Sequence, residues 1–196
     1  MQNGLLAERC IMTFSPYQEA LLAKRQILIN ERIDESTEQY VVEAILLLNA
    51  RNSNSAITLL INSRGGGIHH TKHIVDMIQN STAPVHGIVI GRAYSSGFNI
   101  LQACVVRIAY LNADMMCHAS DMTGVRVDDK VSLKRTEKET VKVHEEFLKC
   151  LSKRSGQSVK RWRKWSLKQE YFTGRQAKKL GIVDKVTRPR KDFPII

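Results

Sequence analysis

The chain has only four cysteines, Cys10, Cys104, Cys117 and Cys150, and no two of them stand at the Cys-x-x-Cys spacing of a zinc or redox site. Cys104 and Cys117 lie in apolar runs and read as small buried side chains, in keeping with a reducing compartment. No apolar run reaches the roughly 18 residues needed to span a bilayer, which excludes a membrane-spanning helix. The N-terminus lacks a basic region followed by an apolar core and a small-residue cleavage site. The expected location is therefore the cytoplasm, or the matrix or stroma of an organelle. Internal repeats and low-complexity tracts are also missing. What remains is ordinary globular usage, 43% hydrophobic and 25% charged over 196 residues, a length suited to one domain with a sizeable core. The expected division is a flexible N-terminal segment at 1–18, a single domain at 19–187 and a C-terminal tail at 188–196.

Acidic residues are scarce in one place. Residues 149–191 hold 15 Lys and Arg against Glu170 and Asp184, a local charge of +13, so that the rest of the chain sums to −2 of the total +11. Such a block attracts nucleic acid, acidic membranes or acidic proteins. No nucleic-acid motif accompanies it, so the simpler reading is a solvated basic face, with nucleic acid and membrane not expected as partners. Trp162 and Trp165 lie among Lys160, Arg161, Arg163, Lys164 and Lys168. Together with Leu167 they are expected to pack this segment onto the domain while the charges stay in water.

Apolar periodicity places a short helix at 19–25, a strand at 26–29 and a helix from a Ser36 cap through Val41, Val42, Ile45, Leu46 and Leu48. The run 57–61 is apolar and β-branched without alternation, as in a strand buried on both faces. It ends in Asn62-Ser63-Arg64-Gly65-Gly66-Gly67, and a helix is predicted at 68–79. A third strand follows at 85–90, then short strands at 107–110 and 115–117. This alternation predicts right-handed crossovers and a largely parallel sheet. Residues 121–130 read as polar and irregular. The stretch 131–151 is a long charged helix with a thin apolar stripe of Val141, Phe147, Leu148 and Leu151, of the kind that bridges to another subunit. A further helical segment covers 155–167, and a short helix starts at Thr173.

The chemistry concentrates at Gly91-Arg92-Ala93-Tyr94-Ser95-Ser96-Gly97. A buried strand that ends in a small-residue turn and leads into a helix presents a hydroxyl at its tip, here that of Ser95. His118 closes the apolar run that follows. His69, His70 and His73, with Asp76 one turn on, invite a metal reading, but no additional ligand cluster accompanies them, so neither metal nor cofactor is expected.

Four motifs in order resemble the ClpP-like proteolytic subunits of the ATP-dependent Clp protease, within the ClpP/crotonase superfold. Leu60-Ile61-Asn62-Ser63-Arg64-Gly65-Gly66 is similar to that family's Ile-Asn-Ser-Pro-Gly-Gly, with Arg64 in place of the proline. The Ser95 turn is similar to Gly-Gln-Ala-Ala-Ser-Met-Gly, and Asn112-Ala113-Asp114-Met115-Met116-Cys117-His118 to Asn-x-x-x-Met-x-His. Ser155-Gly156-Gln157 and Thr173 to Asp184 are similar to the late Thr-Gly-Gln and Ser-x-x-Glu-Ala-x-x-x-Gly-Leu-x-Asp. The resemblance implies an α/β, ClpP/crotonase-like fold of repeated β-β-α and βαβ units with a protruding long handle helix. It also implies a serine endopeptidase with Ser95 as nucleophile, His118 as general base and the N–H groups of Gly66 and Ser96 as oxyanion donors. The family's third residue is an aspartate. Here its position reads Gln169, with Glu170 beside it. The implied partners are further subunits in stacked heptameric rings, homomeric or mixed, an AAA+ unfoldase of the Clp ATPase kind and unfolded protein substrates. The alternative is a noncatalytic ClpP-like ring subunit or adaptor with a degraded site.

Overall fold

The computed structural model describes residues 14–119 and 130–187. The expectations for residues 1–13, the polar stretch 120–129 and the tail 188–196 lie outside them. Seven strands form one sheet. Its main path runs β1 (Gln26–Ile29), β2 (Ile57–Ser63), β3 (Val85–Tyr94), β4 (Val106–Ala109) and β7 (Lys185–Val186), all in parallel. Two further strands lie off this path: β5 (Asp114–Cys117) pairs in parallel with β3, and β6 (Glu170–Thr173) is antiparallel to β5. The helices are α1 (Pro16–Ala23), α2 (Glu35–Arg51), α3 (Ile68–Gln79), α4 (Ser96–Ala103), α5 (Lys130–Ser155), α6 (Val159–Leu167) and α7 (Gly174–Lys179). None of them is long and apolar enough to cross a membrane.

Strand β3 decides where the site lies, because its two halves have different neighbours. His86 to Val89 pair with β4, whereas Arg92 to Tyr94 pair with β5. The apolar run predicts a strand ending at Ile90, but the observed strand continues through Tyr94 because β5 supplies partners to the less apolar half. The register between β2 and β3 shifts at this point, Ile61 facing Val89 but Ser63 facing Ala93. Asn62 spans the irregularity. Its Oδ1 accepts from the Arg92 N–H at 3.1 Å while its amide donates to Asn30 Oδ1 at 2.6 Å. Gly91 makes room for it, since a Cβ there would stand 2.4 Å from Asn62 Oδ1.

Three local expectations change for identifiable reasons. The first helix starts at Pro16 rather than residue 19, because Ser15 and Gln18 form a capping box and proline at the first helical position gives up no hydrogen bond. Helix α2 is capped by Asp34 rather than Ser36. The Asp34 carboxylate accepts from the Thr37 N–H, and the Ser36 hydroxyl donates to the same oxygen. In α5 the apolar stripe keeps Leu148 and Leu151, both buried, and loses Val141, which is 57% exposed.

The core fills the space between sheet and helices with Ile27, Ile29, Leu59, Ile61 and Val89. Phe98, Trp162, Trp165 and Phe172 form a second packing centre, with ring centroids 5.0 Å apart for the two tryptophans and 5.2 Å for Trp165 and Phe172. Leu167 takes no part in it and is 72% exposed.

One charge pair joins the late chain to the sheet. Arg107 is buried, and its guanidinium and backbone N–H both donate to Asp184, at 2.7 Å from NH2 to Oδ1 and 2.7 Å from the N–H to Oδ2. Burial alone raises the Asp184 pKa, but the hydrogen bonds and charge of Arg107 overcome it and hold the carboxyl below its ordinary value. A carboxyl depressed in the folded state contributes stability that is present above its unfolded pKa and lost as pH falls through the folded one. We expect Asp184→Asn to lower unfolding stability by about 2–3 kcal/mol, the lower end for a broken buried pair because the Asp184 side chain is 37% exposed. The deficit relative to the unsubstituted chain shrinks below about pH 4. Urea unfolding at pH 7 and pH 3.5 measures both effects.

Candidate active site

Ser95 stands between β3 and α4 with φ 52 and ψ −117, a backbone conformation that side chains other than glycine rarely adopt. The strand, the sharp turn and the helix together form a nucleophile elbow, which lifts the hydroxyl clear of the sheet. Two neighbours hold the turn. Its N–H donates to the Met116 carbonyl of β5 at 2.9 Å, and Gly65, at φ 97, packs against its other side. A Cβ on Gly65 would lie 2.8 Å from both Ser95 Cβ and the Tyr94 carbonyl oxygen. The glycine is therefore required by close approach as well as by its own backbone.

His118 follows the last residue of β5, and its Nε2 lies 2.6 Å from Ser95 Oγ. The fork in β3 produces this contact, because the strand that ends in Ser95 is paired directly with the strand that leads to His118. Gly66 and Ser96 are brought together as well. The Ser96 hydroxyl donates to the Gly66 carbonyl at 3.0 Å, and Ser63 Oγ accepts from the Gly65 N–H at 3.0 Å. Among the described residues neither the Gly66 nor the Ser96 N–H donates to a carbonyl. Ser96 is the first residue of α4, where an N–H has no partner within the helix and the helix dipole favours negative charge.

Gln169 leaves α6 at φ 52, one residue before β6. Cys117 pairs with Glu170, so the antiparallel register continued by one step sets Gln169 across from His118. The Gln169 side chain is exposed, and among the described residues no hydrogen bond joins it to the imidazole. Glu170 is half-buried.

Ser95, Ser96, Gly66 and His118 line one cavity of about 200 Å³, roofed by α5 through His144 and Phe147. Cys117 also lines it, with burial pushing its thiol up to about 12. His144 is a site residue that the sequence reading omits. Its Nε2 lies 3.3 Å from Ser166 Oγ. Burial pushes its imidazole below the ordinary value, against an opposing pull from Glu145, and the nearby charge of His118 acts with the burial. Counting one helical turn back from Leu148 along the buried stripe reaches His144, a signal present in the sequence.

The other histidines are drawn to a carboxylate instead. His70 Nδ1 lies 2.5 Å and His73 Nδ1 2.6 Å from the two oxygens of Glu38, clamping α3 to α2. Among the described residues there is no group of three or more potential metal ligands.

The steric fit at Gly65 can be tested directly. We expect Gly65→Ala to lower stability by about 1–3 kcal/mol, through the positive φ and the clash with the Ser95 turn. It should also reduce the reaction of Ser95 with an activated phosphonate. Thermal unfolding and the labelling rate of the same preparation check the two parts separately.

A model of the Clp protease family matches residues 10–190, which includes every element described above. The mostly parallel α/β sheet and the elbow agree with that match. The chain belongs to the Clp protease family and has the ClpP-type α/β fold.

Proposed function

We propose that this chain is a serine endopeptidase subunit of the Clp type, in which Ser95 attacks the peptide carbonyl with His118 as its base. The observation that carries the reading is the 2.6 Å contact between His118 Nε2 and Ser95 Oγ at the tip of a left-handed turn. A neutral Nε2 at that distance accepts the hydroxyl proton as Oγ bonds to the carbonyl carbon. The carbonyl oxygen gains the negative charge, and the N–H groups of Gly66 and Ser96 receive it, each donor lowering the barrier by about 3 kcal/mol. The imidazolium then returns its proton to the leaving amine, the C–N bond breaks and an acyl-serine remains. Water activated by the same histidine hydrolyses it and regenerates Ser95.

The surface of α5 is in keeping with assembly into rings. The outer half of α5 presents Lys134, Arg135, Glu137, Lys138 and Glu139 to solvent, a polar surface suited to bridging between subunits. In this proposal the subunits stack as two heptameric rings, homomeric or mixed. A Clp-type AAA+ ATPase feeds unfolded protein to them, in the cytoplasm or an organelle matrix or stroma.

A second reading, a noncatalytic ring subunit or adaptor, is favoured by Gln169. A neutral amide accepts a hydrogen bond from an imidazole but adds no charge to stabilise imidazolium. The comparable loss of an aspartate charge lowers turnover by about 10⁴ in a serine protease.

Incubation of the assembled protein with a fluorescent serine-directed phosphonate, followed by mass spectrometry, separates the two. The peptidase reading expects labelling at Ser95 that disappears in Ser95→Ala and in His118→Ala. Unlabelled protein in intact rings gives the site to the noncatalytic reading. Gln169→Asp is expected to raise the labelling rate at least about tenfold by restoring the missing charge. An unchanged rate would remove Gln169 from the catalytic group.

A further inference from the structure

Arg64 and Gly66 stand on the wall between two cavities. One is the catalytic cavity already described. The other, about 470 Å³, opens at the C-terminal ends of β1, β2 and β3 and is lined by Arg32, Arg64 and Arg92 with Asn30, Asn62 and Glu31. Three arginines thus line one space with a single acidic residue, Glu31, among them. Among the described residues none of the three makes a side-chain hydrogen bond or ion pair. Other arginines of the fold are held by partners: Arg25 donates to four carbonyls, the buried Arg107 holds Asp184 and Arg163 holds Glu145. The floor of the basin is built in advance by the Asn30–Asn62 side-chain bond and by the Arg92 N–H on Asn62.

We infer that this basin is a substrate subsite for a carboxylate of the polypeptide being cleaved, an Asp or Glu side chain flanking the scissile bond or a chain end. The inference rests on the proposed peptidase reading for its location. A polypeptide whose carbonyl sits at Ser95 and Gly66 lies in a cavity that Arg64 lines together with the basin. A flanking carboxylate there meets guanidiniums whose planar, forked donors match its two oxygens. Like charges are turned away at the same place, so the subsite also disfavours Lys and Arg in that position. Arg32 and Arg64 are exposed and Arg92 is half-buried, which leaves the site open to a chain arriving from solvent.

The test uses the assembled full chain and N-acetylated, C-terminally amidated fluorescent peptides that differ only in Glu against Gln on both sides of a central leucine. Binding is read by fluorescence anisotropy on the Ser95→Ala protein, and kcat/KM on the unsubstituted one. The Glu peptide is expected to bind about tenfold tighter at low ionic strength, with the advantage shrinking in 0.5 M salt. In Arg64→Gln/Arg92→Gln the preference falls below about twofold. In Arg64→Glu it inverts toward a peptide with Lys in place of Glu. If the Gln peptide gains the same Arg64-dependent affinity once its C-terminus is freed, the basin stands and its ligand is the chain end.

Equal binding of the Glu and Gln peptides, or binding of neither, with no Arg64-dependent gain on freeing the C-terminus overturns the subsite, as does a Glu preference that survives the double substitution. Failure of the peptidase reading looks different. An arginine-dependent preference in binding with no cleavage by the unsubstituted protein removes the catalysis and keeps the basin, whereas cleavage without preference does the reverse.

Discussion

The left-handed backbone at Ser95 carries a conformational cost of about 1–3 kcal/mol, and it persists only because packing leaves the chain no other course. Gly65 presses on one side and β5 holds the N–H on the other. Both supports trace to the irregular join between β2 and β3, where Asn62 fills the space left by Gly91. Because β3 changes partner beyond that join, the strand that ends beside Ser95 runs next to the strand that leads to His118. The 2.6 Å contact is a result of sheet topology before it is a result of side-chain choice.

Charge in this protein is divided between structural and unpartnered roles. Glu38 satisfies two histidines and joins α2 to α3, while Arg107 and Asp184 join β4 to the end of the chain. The basic block at 149–191 is partly accounted for in the same way. Arg154 donates to the Cys104 carbonyl, Arg161 lies 5.1 Å from the centre of the Trp165 ring, and Arg163 pairs with Glu145. Arg154 fastens α5 to the chain after α4, Arg163 joins α6 to α5, and Arg161 packs within α6. Arg32, Arg64 and Arg92, which line one cavity beside that of Ser95, have no such side-chain partner among the described residues.

Periodicity made much of the fold legible. Residues 68–79 form the helix their apolar spacing predicts, the strand at 26–29 stands where predicted, and the strand predicted at 57–61 runs on to Ser63, with one face buried and the other only partly so. Ser95 and His118 were identified by motif, and the structure sets them in contact. Features that depend on distant partners were not readable. The extension of β3 past Ile90 needs β5, and nothing within Gly91 to Tyr94 announces a strand. The basin draws Arg32, Arg64 and Arg92 from three strand ends far apart in sequence. Val141 and Leu167 looked like packing residues because local spacing says nothing of how far a helix projects beyond its neighbours.

Cys117 gives the cavity a chemical selectivity of its own. It lines the same space as Ser95, yet with its thiol held at about 12 the thiolate fraction at neutral pH is on the order of 10⁻⁵. Alkylating and oxidising reagents act on thiolate, so the Cys117 sulfur beside Ser95 and His118 is of the least reactive kind. An electrophile that enters this cavity therefore meets the Ser95 hydroxyl and the imidazoles of His118 and His144 rather than a thiolate.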